Sequence, residues 1–147
     1  MTEIYFYSGA YDKLTTACRL CAKALQQNMR VLIYILDTAM MNKMDELLWT
    51  FSATSFIPHC SVLSQHDKEV IESSPVIISN NIQAGVHFDV LLNLHSECPP
   101  MFEQFNRLIE IVDLSDHDSE SGRHRFRCYK QKGFTIHHHQ LKDLTTS

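Results

Sequence analysis

A chain of 147 residues, 44% hydrophobic and 20% charged, is the size of one domain and carries enough apolar side chains for a single buried core. Its formal net charge of -4 argues against a protein that coats nucleic acid non-specifically, and no apolar run reaches the roughly 18 residues of a membrane span. The five cysteines, at 18, 21, 60, 98 and 128, are odd in number and scattered; with no leader pattern at the N-terminus, reduced thiols and a cytoplasmic location are expected.

Glu3-Ile4-Tyr5-Phe6-Tyr7 is a β-branched and aromatic run stopped by Ser8-Gly9, and predicts a first strand. Leu14, Ala17, Cys18, Cys21, Ala22 and Leu25 then recur at helical spacing opposite Lys13, Arg19, Lys23, Gln26 and Gln27, which predicts an amphipathic helix ending near Asn28. The continuous apolar run Val31 to Leu36 reads as a strand covered on both faces. Strand, helix and buried strand make a βαβ unit with a parallel pair.

Asp37-Thr38 suits the cap of a second helix whose apolar stripe is Met41, Met44, Leu47, Leu48 and Phe51. Trp49, the single tryptophan, lies off that stripe among Glu46, Asp45 and Asn42. Phe56-Ile57-Pro58-His59 follows, where proline bars further helix, so Trp49 and Phe56 are expected to form one exposed apolar patch. Residues 60 to 72 are mixed and polar, a connection with at most a short edge element. Pro75 to Ile78 and Phe88 to Leu94 predict two more strands, and Pro99-Pro100 a helix carrying Met101, Phe102, Phe105 and Leu108. Ile109 to Leu114 predicts a final core strand.

The last helix is distinctive. From Arg123 to Phe134 the chain gathers five of its thirteen Lys and Arg residues, behind a capping, acidic start at Asp116, Asp118, Ser119 and Glu120 and before a stop at Gly133. Arg123, Arg127 and Lys130 stand at i, i+4 and i+7, with Phe126 and Tyr129 on a neighbouring stripe, so a cationic strip edged with aromatic rings is expected. The sum is a three-layer, Rossmann-like α/β domain with four or five strands in a mostly parallel sheet and helices on both faces, spanning residues 1–136, with 137–147 as a polar, His-rich tail.

Motifs of chemistry are few. Cys18 and Cys21 have redox spacing but lie mid-helix on its apolar face, where a thiol is not activated. His137-His138-His139 has no cysteine or histidine pair at zinc spacing nearby. The chain lacks GxGxxG, GxxxxGK[ST], GxSxG and HExxH patterns, and His59 beside Cys60 has no evident orienting carboxylate. No catalytic residue, metal or cofactor is expected.

The chain resembles the chi-subunit family of bacterial DNA polymerase III in Arg30-Val31-Leu32-Ile33, Asp45-Glu46-Leu47-Leu48-Trp49, Ser55-Phe56-Ile57-Pro58-His59, Asp89-Val90-Leu91-Leu92-Asn93-Leu94, Val112-Asp113 and Arg123-x-Arg125-Phe126-Arg127-x-Tyr129-Lys130-x-x-Gly133-Phe134. The resemblance implies a Rossmann-like fold without catalysis, working as an accessory subunit of the clamp-loader assembly. It implies two partners, the psi subunit at Trp49, Phe56, Ile57 and Pro58, and the acidic, phenylalanine-terminated C-terminal tail of single-stranded DNA-binding protein at Arg123. Phe126, Arg127, Tyr129 and Lys130 complete the expected tail site. A helicase is an alternative occupant of the psi surface, and contact with single-stranded DNA is expected to be indirect; direct binding of single strands by the basic helix is the competing reading. The acidic stretch Ser115 to Gly122, the 61–74 connection and the His-rich end depart from the family pattern.

Overall fold

In the computed structural model seven strands form one sheet in the order β3-β4-β2-β5-β6-β1-β7, and every neighbouring pair runs parallel. The described residues are 2–50, 59–62, 75–82 and 88–141. In chain order the elements are β1 (Glu3–Ala10), α1 (Lys13–Gln26), β2 (Val31–Tyr34), α2 (Thr38–Thr50), β3 (His59–Val62), β4 (Val76–Ser79), β5 (Val90–Asn93), a 3-10 turn (Phe102–Gln104), β6 (Arg107–Asp113), α3 (Asp116–Gln131) and β7 (Ile136–Gln140).

The apolar runs alternate between two cores. Val31, Ile33, Val76, Ile78, Val90, Leu92, Ile109 and Ile111 pack with Ala17, Cys18 and Cys21 of α1 and Met41, Met44 and Leu48 of α2. Leu32, Ile77, Leu91, Leu108 and Val112 turn the other way, with Ile4 and Phe6, towards Phe102, Phe105 and Tyr129. Because successive side chains of a strand point to opposite faces, a sheet covered on both sides needs apolar residues at every position. The result is a three-layer sandwich. Helix stops fall where expected: Asn28 takes a left-handed φ of 60° after α1, and Gly133 one of 85° after α3, which turns Phe134 back so that its N–H donates to Tyr129 O at 3.2 Å.

Three expectations change. The segment after Pro99-Pro100 forms a single 3-10 turn, with Met101 left-handed at φ 58° and Leu108 already in β6; apolar residues at 102, 105 and 108 fit a helix over so short a span, but the strand claims Arg107 onward, and Thr2 ties the segment down by donating from Oγ1 to Phe105 O at 2.6 Å. The sheet has seven strands rather than four or five, because the polar segments 59–62 and 136–140 both join its edges. The His-rich stretch therefore does not begin a tail at 137: it pairs with β1, Phe6 opposite His138 and Tyr7 opposite His139. A parallel edge strand draws its stability from backbone hydrogen bonds and one half-covered face, so it has no need of the apolar alternation by which strands are recognised.

Candidate functional site

Helix α3 begins on an anchored first turn. Ser115 caps it, its hydroxyl accepting from Asp118 N at 3.2 Å; Asp118 in turn accepts from Asp113 N at 2.8 Å and pairs with Lys13 at 3.0 Å. The acidic stretch that departs from the family pattern is thus the N-cap and first two turns of this helix, with Asp116 and Asp118 in the first turn, where carboxylates complement the dipole. One turn on, Gly122 lets the helix lie against the sheet: a Cβ there would meet Val112 Cγ2 at 2.6 Å.

From that point the two sides of the helix diverge. On the inner side Arg125, 2% exposed, donates from Nε to Oε1 of the fully buried Glu110 at 2.9 Å, and from Nη1 to Ser96 O at 2.8 Å and Ser121 Oγ at 2.7 Å. Tyr129 donates from its hydroxyl to Glu110 Oε2 at 2.6 Å, and Asn93 from Nδ2 to the same oxygen at 3.0 Å. Burial pushes the Glu110 carboxyl above its ordinary range, against the pull of the Arg125 guanidinium and of these hydrogen bonds; burial beside that carboxylate also drives the Tyr129 phenol upward. This is a bolt joining α3 to β5 and β6, in which Arg125 Nη2 alone is buried without a hydrogen-bond partner among the described residues.

On the outer side a groove of about 320 Å³ opens between α3 and the β1–β7 edge of the sheet, lined by Phe6, Ser8, Val112, Ser119, Gly122, Arg123, Phe126 and His138. Buried Phe6 and Val112 make its floor, and Phe126 stands edge-on to Phe6 with centroids 5.2 Å apart. The exposed Arg123 on α3 and His138 on β7 form opposite lips. An apolar floor under a cationic lip accepts a ligand that is at once aromatic or aliphatic and anionic.

The expected strip is therefore divided. Arg123 and Phe126 line the groove, and Lys130 places Nζ over the Phe126 ring at 6.0 Å. Arg127 faces a different cavity with Ser96, Cys98, His124 and Cys128. Tyr129 is fully buried, so it supports the helix from within instead of edging the site: its hydroxyl is spent on Glu110. Glu110 and His138 escaped the sequence reading. A carboxylate set between Ile109 and Ile111 in a core strand was the visible signal for the first; nothing marked the second, because its role depends on β7 pairing with β1. Of the apolar patch, Phe56, Ile57 and Pro58 lie outside the described residues, and Trp49 belongs to α2 by its backbone while its side chain lies outside what is described. Cys18 and Cys21 sit buried in the α1 core, as their place on the apolar face predicts; burial pushes the Cys18 thiol up to about 12 and Cys21 up as well. No helix among the described residues is long and apolar enough to cross a membrane.

The model of the family described as DNA polymerase III chi subunit, HolC, matches residues 1–137. The DNA polymerase III subunit chi of Pseudomonas aeruginosa is 33% identical over 145 residues, covering 96% of this chain and 98% of that protein. Its Escherichia coli counterpart is 25% identical over 120 residues, 81% of this chain and 79% of the relative. Among solved structures, the C-terminal domain of the DEAD-box protein Dbp5 superimposes with a TM-score of 0.65 at 12% identity, covering 99% of this chain and 93% of that one; the Saccharomyces cerevisiae Dbp5 L327V domain bound to Gle1 and IP6 gives 0.61 at 10%. At such identities these neighbours speak to the fold alone.

Proposed function

We propose, from the premise that this chain belongs to the DNA polymerase III chi subunit family, that it bridges single-stranded DNA-binding protein to the replicative polymerase. The family is an accessory subunit of DNA polymerase III in DNA replication. Within that role the chain holds the acidic C-terminal tail of single-stranded DNA-binding protein in the α3 groove and the psi subunit, or a helicase in its place, on the Trp49, Phe56, Ile57 and Pro58 surface. It carries out no catalysis of its own, takes no cofactor and meets single-stranded DNA indirectly. The cytoplasm is its place of work.

The observation that supports this reading most directly is Arg123, at the lip of an apolar groove and without an ion pair or hydrogen bond to any described residue. The next arginine along, Arg125, has its charge met by Glu110. A free guanidinium offers paired N–H donors to a carboxylate, and Phe6, Val112 and Phe126 offer a recess to a terminal phenylalanine ring. A nucleic acid requires a longer cationic track than one arginine and one lysine beside a single recess.

Titration of the purified protein with an acidic peptide ending in Pro-Phe, and separately with single-stranded DNA, tests the assignment. The peptide should bind and Arg123→Glu should abolish binding, since a charge-assisted hydrogen bond contributes roughly 1.5 to 3 kcal/mol and the reversed charge repels the tail. Equal affinity of wild type and Arg123→Glu, or binding to DNA but not to peptide, overturns it. Trp49→Ala should weaken psi by about 1 to 3 kcal/mol if the ring is a hot spot and leave the peptide bound; an unfolded variant would place that ring in the core.

A further inference from the structure

Four large apolar side chains stand exposed among the described residues, and three of them share one edge of the sheet: Tyr11 (72%), Leu36 (45%) and Leu114 (64%). Each lies on the loop that leaves the C-terminal end of a parallel strand, β1, β2 and β6 in turn. Ala10 pairs with Asp113, so Tyr11 and Leu114 follow adjacent strand ends. Leu36 rims a cavity of about 310 Å³ with Lys13, Asp37, His95, Asp113 and His117, over buried Ile35 and Leu94. Parallel α/β domains take their ligands at this edge, and anions there use free helix N-termini. Here the chain's own carboxylates fill them: Asp12 accepts from Leu14 N at 3.1 Å at the head of α1, and at the head of α3 Asp118 accepts from Asp113 N at 2.8 Å. The charge around the apolar residues is one-sided. Asp12, Asp37 and Asp116 are exposed and Asp113 is half-buried, and none of the four is in an ion pair with a described residue. Lys13, the lysine of the cavity wall, is taken by Asp118 at 3.0 Å.

We infer that this edge docks a basic amphipathic helix of a partner protein, its apolar side chains on Tyr11, Leu36 and Leu114 and its lysines or arginines against Asp12, Asp37, Asp113 and Asp116. Leu36 and Tyr11 follow β2 and β1, which the order β2-β5-β6-β1 sets three strand spacings apart, about 14 Å at roughly 4.8 Å each. About nine helical residues cover that distance at a rise of about 1.5 Å, enough for anchors one and two turns apart. The carboxylates repel an acidic peptide, a phosphate backbone and a second copy of the same edge. This is a third surface: its cavity shares no residue with the α3 groove, and Leu36 precedes the first turn of α2 whereas Trp49 stands in the last.

The probe is a synthetic peptide of about 14 residues, roughly four turns of helix, with leucines on one face and lysines on the other; a second peptide carries glutamates in place of the lysines. The proteins are wild type, Leu36→Ser/Leu114→Ser, Tyr11→Ser, Asp37→Asn/Asp116→Asn and, with the same change of net charge at exposed carboxylates elsewhere, Glu103→Gln/Glu120→Gln. Wild type should bind the lysine peptide and not the glutamate one. Leu36→Ser/Leu114→Ser should weaken binding about tenfold, as loss of interface anchors does, with its melting temperature kept because both side chains are exposed. If that variant melts early, Tyr11→Ser decides by the same loss of affinity. Asp37→Asn/Asp116→Asn should cost about threefold at low salt, and Glu103→Gln/Glu120→Gln should cost nothing. Unchanged affinity in the leucine and tyrosine variants overturns the inference, as does equal loss in the two carboxylate variants, which would mean that net charge alone drew the peptide. Binding of the glutamate peptide as tight as that of the lysine peptide overturns the choice of a basic partner. A wild-type dimer in sedimentation that Leu36→Ser/Leu114→Ser dissolves gives the edge to a second copy and overturns it too.

Discussion

Arg123 and Arg125 are two residues apart on one helix and differ in every physical respect that decides what an arginine does. Arg125 is 2% exposed and three of its contacts run to Glu110, Ser96 and Ser121; Arg123 is exposed and open on the lip of the groove. A helix turns about 200° over two residues, so the first is aimed into the protein and the second away from it. Their comparison teaches that a run of basic residues is not a unit of function. The inner arginine holds the helix at a fixed height over the sheet, and that height gives the outer one a recess to stand beside.

The inner half can be broken most severely at Glu110. Glu110→Ala should destabilise the fold by about 3 to 5 kcal/mol, because it leaves the Arg125 guanidinium buried without its counter-charge, and urea denaturation will read the loss. Arg123→Ala in the same assay should stay within about 0.5 kcal/mol of wild type, as exposed substitutions do. If both cost the same, the division into a bolt and a lip is wrong.

Tyr129→Phe probes the bolt more gently. It removes the hydroxyl donated to Glu110 at 2.6 Å and keeps the ring against Phe102 and Phe6, so a loss of roughly 1.5 to 3 kcal/mol is expected for a buried hydrogen bond to a charged acceptor. Peptide affinity measured well below the melting temperature should hold, since the hydroxyl points into the core. A tyrosine that edged the groove would give the opposite pattern, with stability kept and affinity lost.

Gly122→Ala joins the two halves in one variant. The added Cβ would sit 2.6 Å from Val112 Cγ2, so the helix must lift or the valine must turn, at a cost of about 1 to 3 kcal/mol for overpacking. Gly122 and Val112 also line the groove. Weaker peptide binding should therefore accompany the lowered melting temperature, which separates this variant from Tyr129→Phe.

How far the residues announced all this varies with distance along the chain. The β1, α1, β2 and α2 run was legible because its strands are unbroken aromatic or apolar runs and its helices carry a 3.6-residue period, and Asn28 and Gly133 mark helix ends by local chemistry that needs no knowledge of the fold. The polar strands β3 and β7 were not, since what makes them strands is a partner 17 residues away for β3 and at the other end of the chain for β7. At the site, helical spacing set Arg123 and Phe126 on neighbouring stripes of one helix, and the family resemblance singled out Arg123. His138 could not, because it reaches the groove only through the β1–β7 pairing. Tyr129 was assigned to the wrong side, since helical spacing tells which residues are neighbours and leaves open which stripe faces the sheet.

The smallest effect is the sharpest test of the division, and it falls on Arg127. Helical spacing places Arg127 one turn beyond Arg123, on a shared strip, and a ligand lying along that strip would use both. The fold sends Arg127 to the cavity with Ser96, Cys98, His124 and Cys128, away from the groove, so it can act on a bound peptide only through space. At physiological salt, where the Debye length is about 8 Å, such an exposed charge contributes little. Arg127→Ala should therefore change peptide affinity by no more than about 0.5 kcal/mol, with the residue vanishing as salt is raised. Lys130→Ala, which loses a cation over the Phe126 ring at 6.0 Å, should fall between this and Arg123→Ala. An Arg127→Ala defect as large as that of Arg123→Ala would mean that the ligand runs along the helix and not across it into the groove, and a single-stranded nucleic acid would then become the better candidate.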